Sequence, residues 1–197
     1  MTYELVTGLA LFALVSSGTP GPNNMMLMAS GANFGFRRSM PHMLGIAIGF
    51  TFMTFLVGLG LAGVFEQFPV LHTVLKVVSV AYMLFLAWKI ANAAPLKQGE
   101  ATGSPFTFFQ AAAFQWVNPK AWAMALTAVT VYAPSRDLYG AVAVALIFGL
   151  VNFPSVSVYT VLGEQVRKFL TSPLHLRSFN IVMALLLIAS LYPVLIV

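Results

Sequence analysis

The sequence predicts an all-α integral membrane protein: six transmembrane helices in two inverted three-helix halves, with helices one and four broken. Three observations carry this. Hydrophobic residues make up 59% of the chain and charged ones only 8%, against about a quarter charged in a soluble domain. The few charges are spaced so that the stretches between them can each cross a bilayer, which takes about 20 apolar residues. Two of those stretches carry a proline break, at Pro20 and Pro119, about half the chain apart. A mean hydropathy of +0.89 agrees. That composition excludes an ordinary soluble enzyme and a disordered tail, and the ten Lys and Arg, scattered among apolar runs, form no patch for nucleic acid.

The spans follow in order. Residues 5–36 and 39–65 carry no charge. The third stretch, Glu66 to Lys89, holds Lys76 near its start, where the side chain can reach an interface. The fourth, 101–135, holds only Lys120, and 138–163 and 178–197 hold none. Leu5–Ser17 resembles a signal peptide, but Glu4 precedes it and no Lys or Arg occurs before Arg37, so the span is expected to be retained. The polar, Gly- and Pro-containing stretch 93–105 divides a first three-helix repeat, 1–92, from a second, 106–197. Loops 1–2, 3–4 and 5–6 carry Arg37, Arg38, Lys89, Lys97, Arg167, Lys168 and Arg177, whereas the opposite side has Lys76 and Arg136. The positive-inside rule puts those three loops and the linker in the cytoplasm and both termini outside.

Spans one and four are too long for a single straight crossing at about 1.5 Å per residue. Each contains a break: Thr19-Pro20-Gly21-Pro22-Asn23-Asn24 in the first, Asn118-Pro119-Lys120 in the second. Both fall in the first span of a three-span half, and an odd number of spans per half requires the halves to be inverted. Paired interrupted spans in such repeats mark a transporter's substrate site. A proline inside a helix frees the carbonyl four residues back, which here means Ser16, Gly18 and Gln115. Gly21-Pro22 and Asn118-Pro119 have the form of a cap followed by proline, which restarts a helix. A restarted helix aims N–H groups and a positive dipole end into the break, which suits a carboxylate. The nine residues Thr19 to Asn24 and Asn118 to Lys120 are therefore the expected substrate site.

Lys120 lies deeper between neighbouring charges than any other ionisable residue, and a buried ammonium in a membrane marks function by default. Asn152 and Pro154 form a third interruption, read as a kink. Gly31, Gly35, Gly45 and Gly49 are spaced for close helix packing. Trp88, Trp116 and Trp122 are candidates for a membrane interface; the last two flank the second break and are alternatively candidates to line a pocket, and Met25, Met26 and Met28 are expected in ordinary apolar contact. There is no cysteine, and His42, His72 and His175 are far apart, so neither a metal site nor a catalytic residue is expected. No phosphate-binding Gly-x-x-x-x-Gly-Lys occurs, so no nucleotide or other cofactor is expected.

With these residues in view, the chain resembles the lysine exporter/homoserine–threonine exporter (LysE/RhtB) family over essentially its whole length. The resemblance rests on Thr19-Pro-Gly-Pro-Asn-Asn24, then Gly31, Gly35, Phe36, Arg37 and Gly45-x-x-x-Gly49. It continues through Ala81-Tyr82, Leu86-Ala-Trp-Lys-Ile-Ala91, Phe114-x-x-x-Asn118-Pro119-Lys120 and Asn180-Ile with Ala184-Leu-Leu-Leu. Within it the chain is most similar in look to cysteine and O-acetylserine exporters. Ser39 departs from the glycine that members often carry after the arginine. The resemblance implies amino-acid efflux across the bacterial inner membrane, driven by the proton gradient, and a homodimer.

The expected function is thus secondary export of small amino acids or related metabolites, with lipid and the amino acid as partners and no nucleic acid. Two other classes compete. A passive channel needs a continuous wet path, where the breaks suggest an occluding site. A membrane enzyme wants a buried His or carboxylate, and Glu4, Glu66, Glu100, Asp137 and Glu164 all lie at or outside the span ends. The same count leaves proton coupling without an intramembrane carboxylate. Lys120, the substrate's own ionisation, or no coupling at all are the remaining readings.

Overall fold

The computed structural model describes residues 1–93, 104–133 and 137–192. Most of the linker, with Lys97 and Glu100, lies outside the described residues, as do Arg136 and the end of the sixth apolar stretch. The described residues are helical throughout, without strands. The helices are α1 (Tyr3–Gly18), α2 (Pro22–Phe34), α3 (Phe36–Leu56), α4 (Ala62–Gln67), α5 (Val70–Ala91), α6 (Phe108–Phe114), α7 (Pro119–Tyr132), α8 (Leu138–Arg167) and α9 (Pro173–Ala189). Phe36–Phe65, Val70–Ala91 and Leu138–Arg167 are long and apolar enough to cross a membrane. The pair α1 and α2, bent by 57°, makes a fourth such segment when taken as one span.

Helix starts follow the predicted chemistry. Gly21 is the extended residue before α2 and Pro22 its first helical residue; Asn118 and Pro119 do the same for α7. A third example, Ser172-Pro173, opens α9 with the serine hydroxyl accepting from His175 N–H at 3.2 Å. Helix α9 therefore starts before Arg177, upstream of the uncharged stretch that marked the sixth span. Pro154 makes no break, since α8 runs through it. An interruption that charge counting did not show occurs instead in span two. A π turn, Val57–Leu61, separates α3 from α4, and Gly60 there takes φ +104°, which glycine alone adopts without penalty.

Helix α8 is the centre of the molecule. Helices α1, α2 and α3 pack along it, α6 lies on α3, and α5 pairs with α9. In lipid, apolar surface alone does not draw helices together, so close approach of small residues matters more. Gly31 and Gly163 provide it between α2 and α8, where an added Cβ would meet the backbone of Thr160 and Met28 respectively. Gly45 and Gly49 provide it between α3 and α6. Gly35 differs from the packing expected of it: at φ +80° it is the hinge between α2 and α3. A core of Leu9, Phe50, Met53, Trp122 and Phe148 joins α1, α3, α7 and α8. A second, with Met83, Leu86, Phe114 and Leu187, joins α5, α6 and α9. Met25 and Met26 are buried in apolar contacts.

The basic ends of α3, α5 and α8 gather at one pole, with Arg38 over the Phe34 ring, Lys89 lining a pocket with Phe34, and Arg167 near Gly35. There the Phe36 N–H, between Gly35 and Arg37, donates to the Glu164 carboxylate of α8 at 3.2 Å. Near the other pole Gly8 of α1 lies against Tyr132 at the end of α7.

Candidate functional site

The two breaks meet. Helix α1 ends at Gly18, and its last carbonyls have no helical partners of their own. Side chains from elsewhere satisfy them. The Asn24 amide donates to Ser17 O and Thr19 O, both at 2.9 Å. The Tyr159 hydroxyl of α8 donates to Gly18 O at 2.6 Å. The Lys120 ammonium crosses from the second break to donate to Thr19 O. Lys120 also lies along Gly21, where an added Cβ would stand 2.6 Å from its Cδ. Glycine at 21 is thus a matter of space, since its backbone is extended.

A second crossing joins Asn23 to Gln115. Their amides exchange two hydrogen bonds, at 2.8 and 3.1 Å, and Gln115 also donates to Ala111 O. Two further amides meet on α2: Asn33 and Asn180 of α9 pair reciprocally at 2.8 and 3.2 Å.

Between the breaks lies a small, partly open pocket with polar walls. Of the predicted residues, Gly21, Asn23, Asn24, Asn118 and Lys120 line it, whereas Thr19, Pro20, Pro22 and Pro119 do not. The prolines set the backbone, and Thr19 contributes its carbonyl. Ser16, Ser17, Phe50, Ala121, Met124, Asn152 and Val156 complete the lining. Asn152 is 3% exposed; its amide donates to Ser17 Oγ at 3.0 Å, and its Oδ1 has no partner among the described residues. Reading Asn152 as part of a kink missed this role. Its polarity inside an otherwise apolar span was the available signal.

Two details differ from the sequence expectations. Two of the three carbonyls expected to be freed at the breaks have partners. Gly18 O is taken by Tyr159, and Gln115 O accepts from Asn118 N–H at 3.3 Å in a tight 3₁₀ turn. Because α1 and α6 end before their prolines, the carbonyls belong to helix ends rather than to proline-interrupted interiors. The two tryptophans that flank the second break do not line the pocket between the breaks. The Trp122 indole donates to Trp116 O at 2.9 Å and its ring packs on Phe65, so the pair clasps the second break from outside.

The two restarted helices present different ends. At α7 the Asn118 side chain accepts from Lys120 N–H at 3.2 Å. At α2 no side chain caps the start, which opens on the cavity beside the Lys120 ammonium. The expected combination of a lysine with a helix start is present, but at the start of α2. No group of three or more His, Cys, Asp or Glu that could hold a metal occurs among the described residues.

Residues 14–190 match the family model described as LysE type translocator. The cysteine/O-acetylserine efflux proteins of Escherichia coli K12 and Shigella sonnei are each 28% identical to this chain over 194 residues, covering 95% of it and 96% of the relative. No solved structure matches. The chain belongs to the LysE type translocator family, and with its apolar helices it is a multi-pass inner-membrane transporter and not an enzyme.

Proposed function

We propose that this protein exports small amino acids or related metabolites, with cysteine and O-acetylserine as the first candidates, as a secondary transporter coupled to the proton gradient. The observation that carries the reading is the meeting of the two breaks at one polar cavity, with the only deep cation of the sequence reaching across it. The relatives' names supply the substrate class. The site offers complementary chemistry to a zwitterion. Lys120 and the open N–H groups at the start of α2 receive the carboxylate. Asn152 Oδ1, with the serine hydroxyls of residues 16 and 17, receives the ammonium.

The proposed architecture is six spans in two inverted halves, 1–92 and 106–197, with α1–α2 and α6–α7 as the broken spans. The packing supports it: exchanging the halves turns the α2–α8 contact into α3–α7 and α1–α8 into α3–α6, and maps α3–α8 and α5–α9 onto themselves, all of them contacts the fold makes. Both termini are proposed outside and the basic pole inside. Cysteines placed at Leu138 and Phe169, the two exposed ends of α8, check this in intact cells: an impermeant thiol reagent is expected to label the first and not the second, and the reverse pattern would invert the protein. Lipid, and on the family resemblance a second copy of the chain, are the proposed partners.

Counterflow in proteoliposomes tests the function. Labelled cysteine or O-acetylserine is expected to exchange faster when unlabelled substrate is present on the other side. Uptake indifferent to trans substrate would make the protein a channel, and no uptake of any amino acid would end the reading.

A further inference from the structure

Proton coupling carried by the protein itself needs a side chain that takes up and releases a proton within the membrane. The described carboxylates do not serve. Glu4 is in the first turn of α1, Asp137 caps α8 by accepting from Gly140 N–H at 2.7 Å, and Glu164, near the far end of α8, accepts from Phe36 N–H. Lys120 is committed to the substrate site and donates to Thr19 O.

His42 of α3 is placed differently. It is 1% exposed, and neither Nδ1 nor Nε2 has a hydrogen-bond partner among the described residues. It lines a second cavity of about 450 Å³ that shares no lining residue with the first. Ser30, Asn33, Lys89 and Phe106 line the same space. The other buried polar side chains there are already engaged: Ser30 with Ser39, Asn33 with Ala29 O and Asn180. The Phe106 ring lies 5.3 Å from the imidazole, and the Lys89 ammonium stands 4.8 Å over the same ring. Buried polar atoms are almost always paired, so an imidazole with both nitrogens open beside a cavity calls for a task. Imidazole is also the side chain whose ordinary protonation falls in the physiological range.

We propose that His42 is the proton-binding residue that couples substrate export to the proton gradient, exchanging its proton through the second cavity. The inference rests on the exporter reading and assigns the coupling that reading leaves without a residue. In each cycle a neutral imidazole accepts one proton on a ring nitrogen, becomes imidazolium, and returns to neutral when that proton leaves on the other side of the membrane. Of the elements packed on α3, α2 and α6 carry no titratable residue. Helix α7 brings Lys120 and Tyr132, and α8 brings Tyr139, Tyr159, Glu164 and Arg167. Lys89 of α5 is the charged group beside the imidazole, and Arg37 and Arg38 open α3 itself.

The test separates exchange from uphill transport in proteoliposomes. In His42→Gln, counterflow of cysteine is expected to stay within about two-fold of the parent, while accumulation driven by an imposed pH gradient falls at least about ten-fold. Gradient-driven accumulation at the parental level in His42→Gln would overturn the proposal. So would loss of counterflow in a variant that inserts normally, since His42 would then serve the substrate or the fold. Absence of counterflow in the parent would instead sink the exporter reading itself. Should the variant not insert, the intact sequence still answers. His72 and His175 are exposed, and a His72→Gln/His175→Gln protein labelled with 15N-histidine leaves one imidazole signal. That signal is expected to respond both to pH and to added cysteine, and a signal that responds to neither would overturn the assignment.

Discussion

The two breaks differ in what they keep and what they give away. The second is locally sealed: Asn118 caps α7, a 3₁₀ turn uses the Gln115 carbonyl, and two tryptophans clasp it from outside. It exports only two side chains, Gln115 and Lys120, to its counterpart. The first break is open. Its carbonyls depend on Asn24, on Tyr159 of α8 and on Lys120, and the start of α2 has no side-chain cap. One break thus contributes a cation, the other a set of acceptors and N–H groups.

The largest effect is expected at Lys120. Lys120→Met keeps the stem and removes the charge, so it should insert normally and raise the half-saturating concentration of a carboxylate substrate by at least about 30-fold, or about 2–5 kcal/mol. Lys120→Arg should recover little, because a planar fork does not replace a compact ammonium beside Gly21. Counterflow measures both. Export by Lys120→Met at the parental rate would reduce the residue to a pin on Thr19.

The asparagines of the first break should separate. Asn24→Leu removes the donor to Ser17 O and one of those to Thr19 O, at about 1–3 kcal/mol for the unmet groups. Its signature is a lower melting temperature together with lost transport. Asn23→Leu breaks only the Gln115 exchange, where coupling between membrane helices is about 0.6 kcal/mol. Its melting temperature should barely move, while transport falls. Equal destabilisation by both would erase the distinction between a helix-end support and a cross-break contact.

Much of this arrangement was legible from residue types. Gly21-Pro22 and Asn118-Pro119 announced restarted helices because proline at a first helical position loses no hydrogen bond, and Lys120 stood out because charges are scarce. What was hidden is tertiary. Nothing in one dimension says that Lys120 points to the first break instead of to its own helix start, nor that Tyr159 and Asn24 supply the donors that the end of α1 lacks. Asn152 looked like the companion of a kinking proline, and His42 looked inert because a metal site needs neighbours in number. The π turn at Val57–Leu61 had a signal, Gly58 and Gly60, that charge counting passes over.

The central claim is that the two breaks form one substrate site, and the absence of native cysteine makes it directly measurable. Ser16→Cys reports from the first break and Ala121→Cys from the second, both lining the cavity. A small thiol reagent is applied to each single-cysteine protein over a range of O-acetylserine concentrations. The account requires the substrate to slow modification at both positions with the same half-protecting concentration. Protection at one position alone, or half-protection at well-separated concentrations, would mean that the breaks serve different sites and would contradict it.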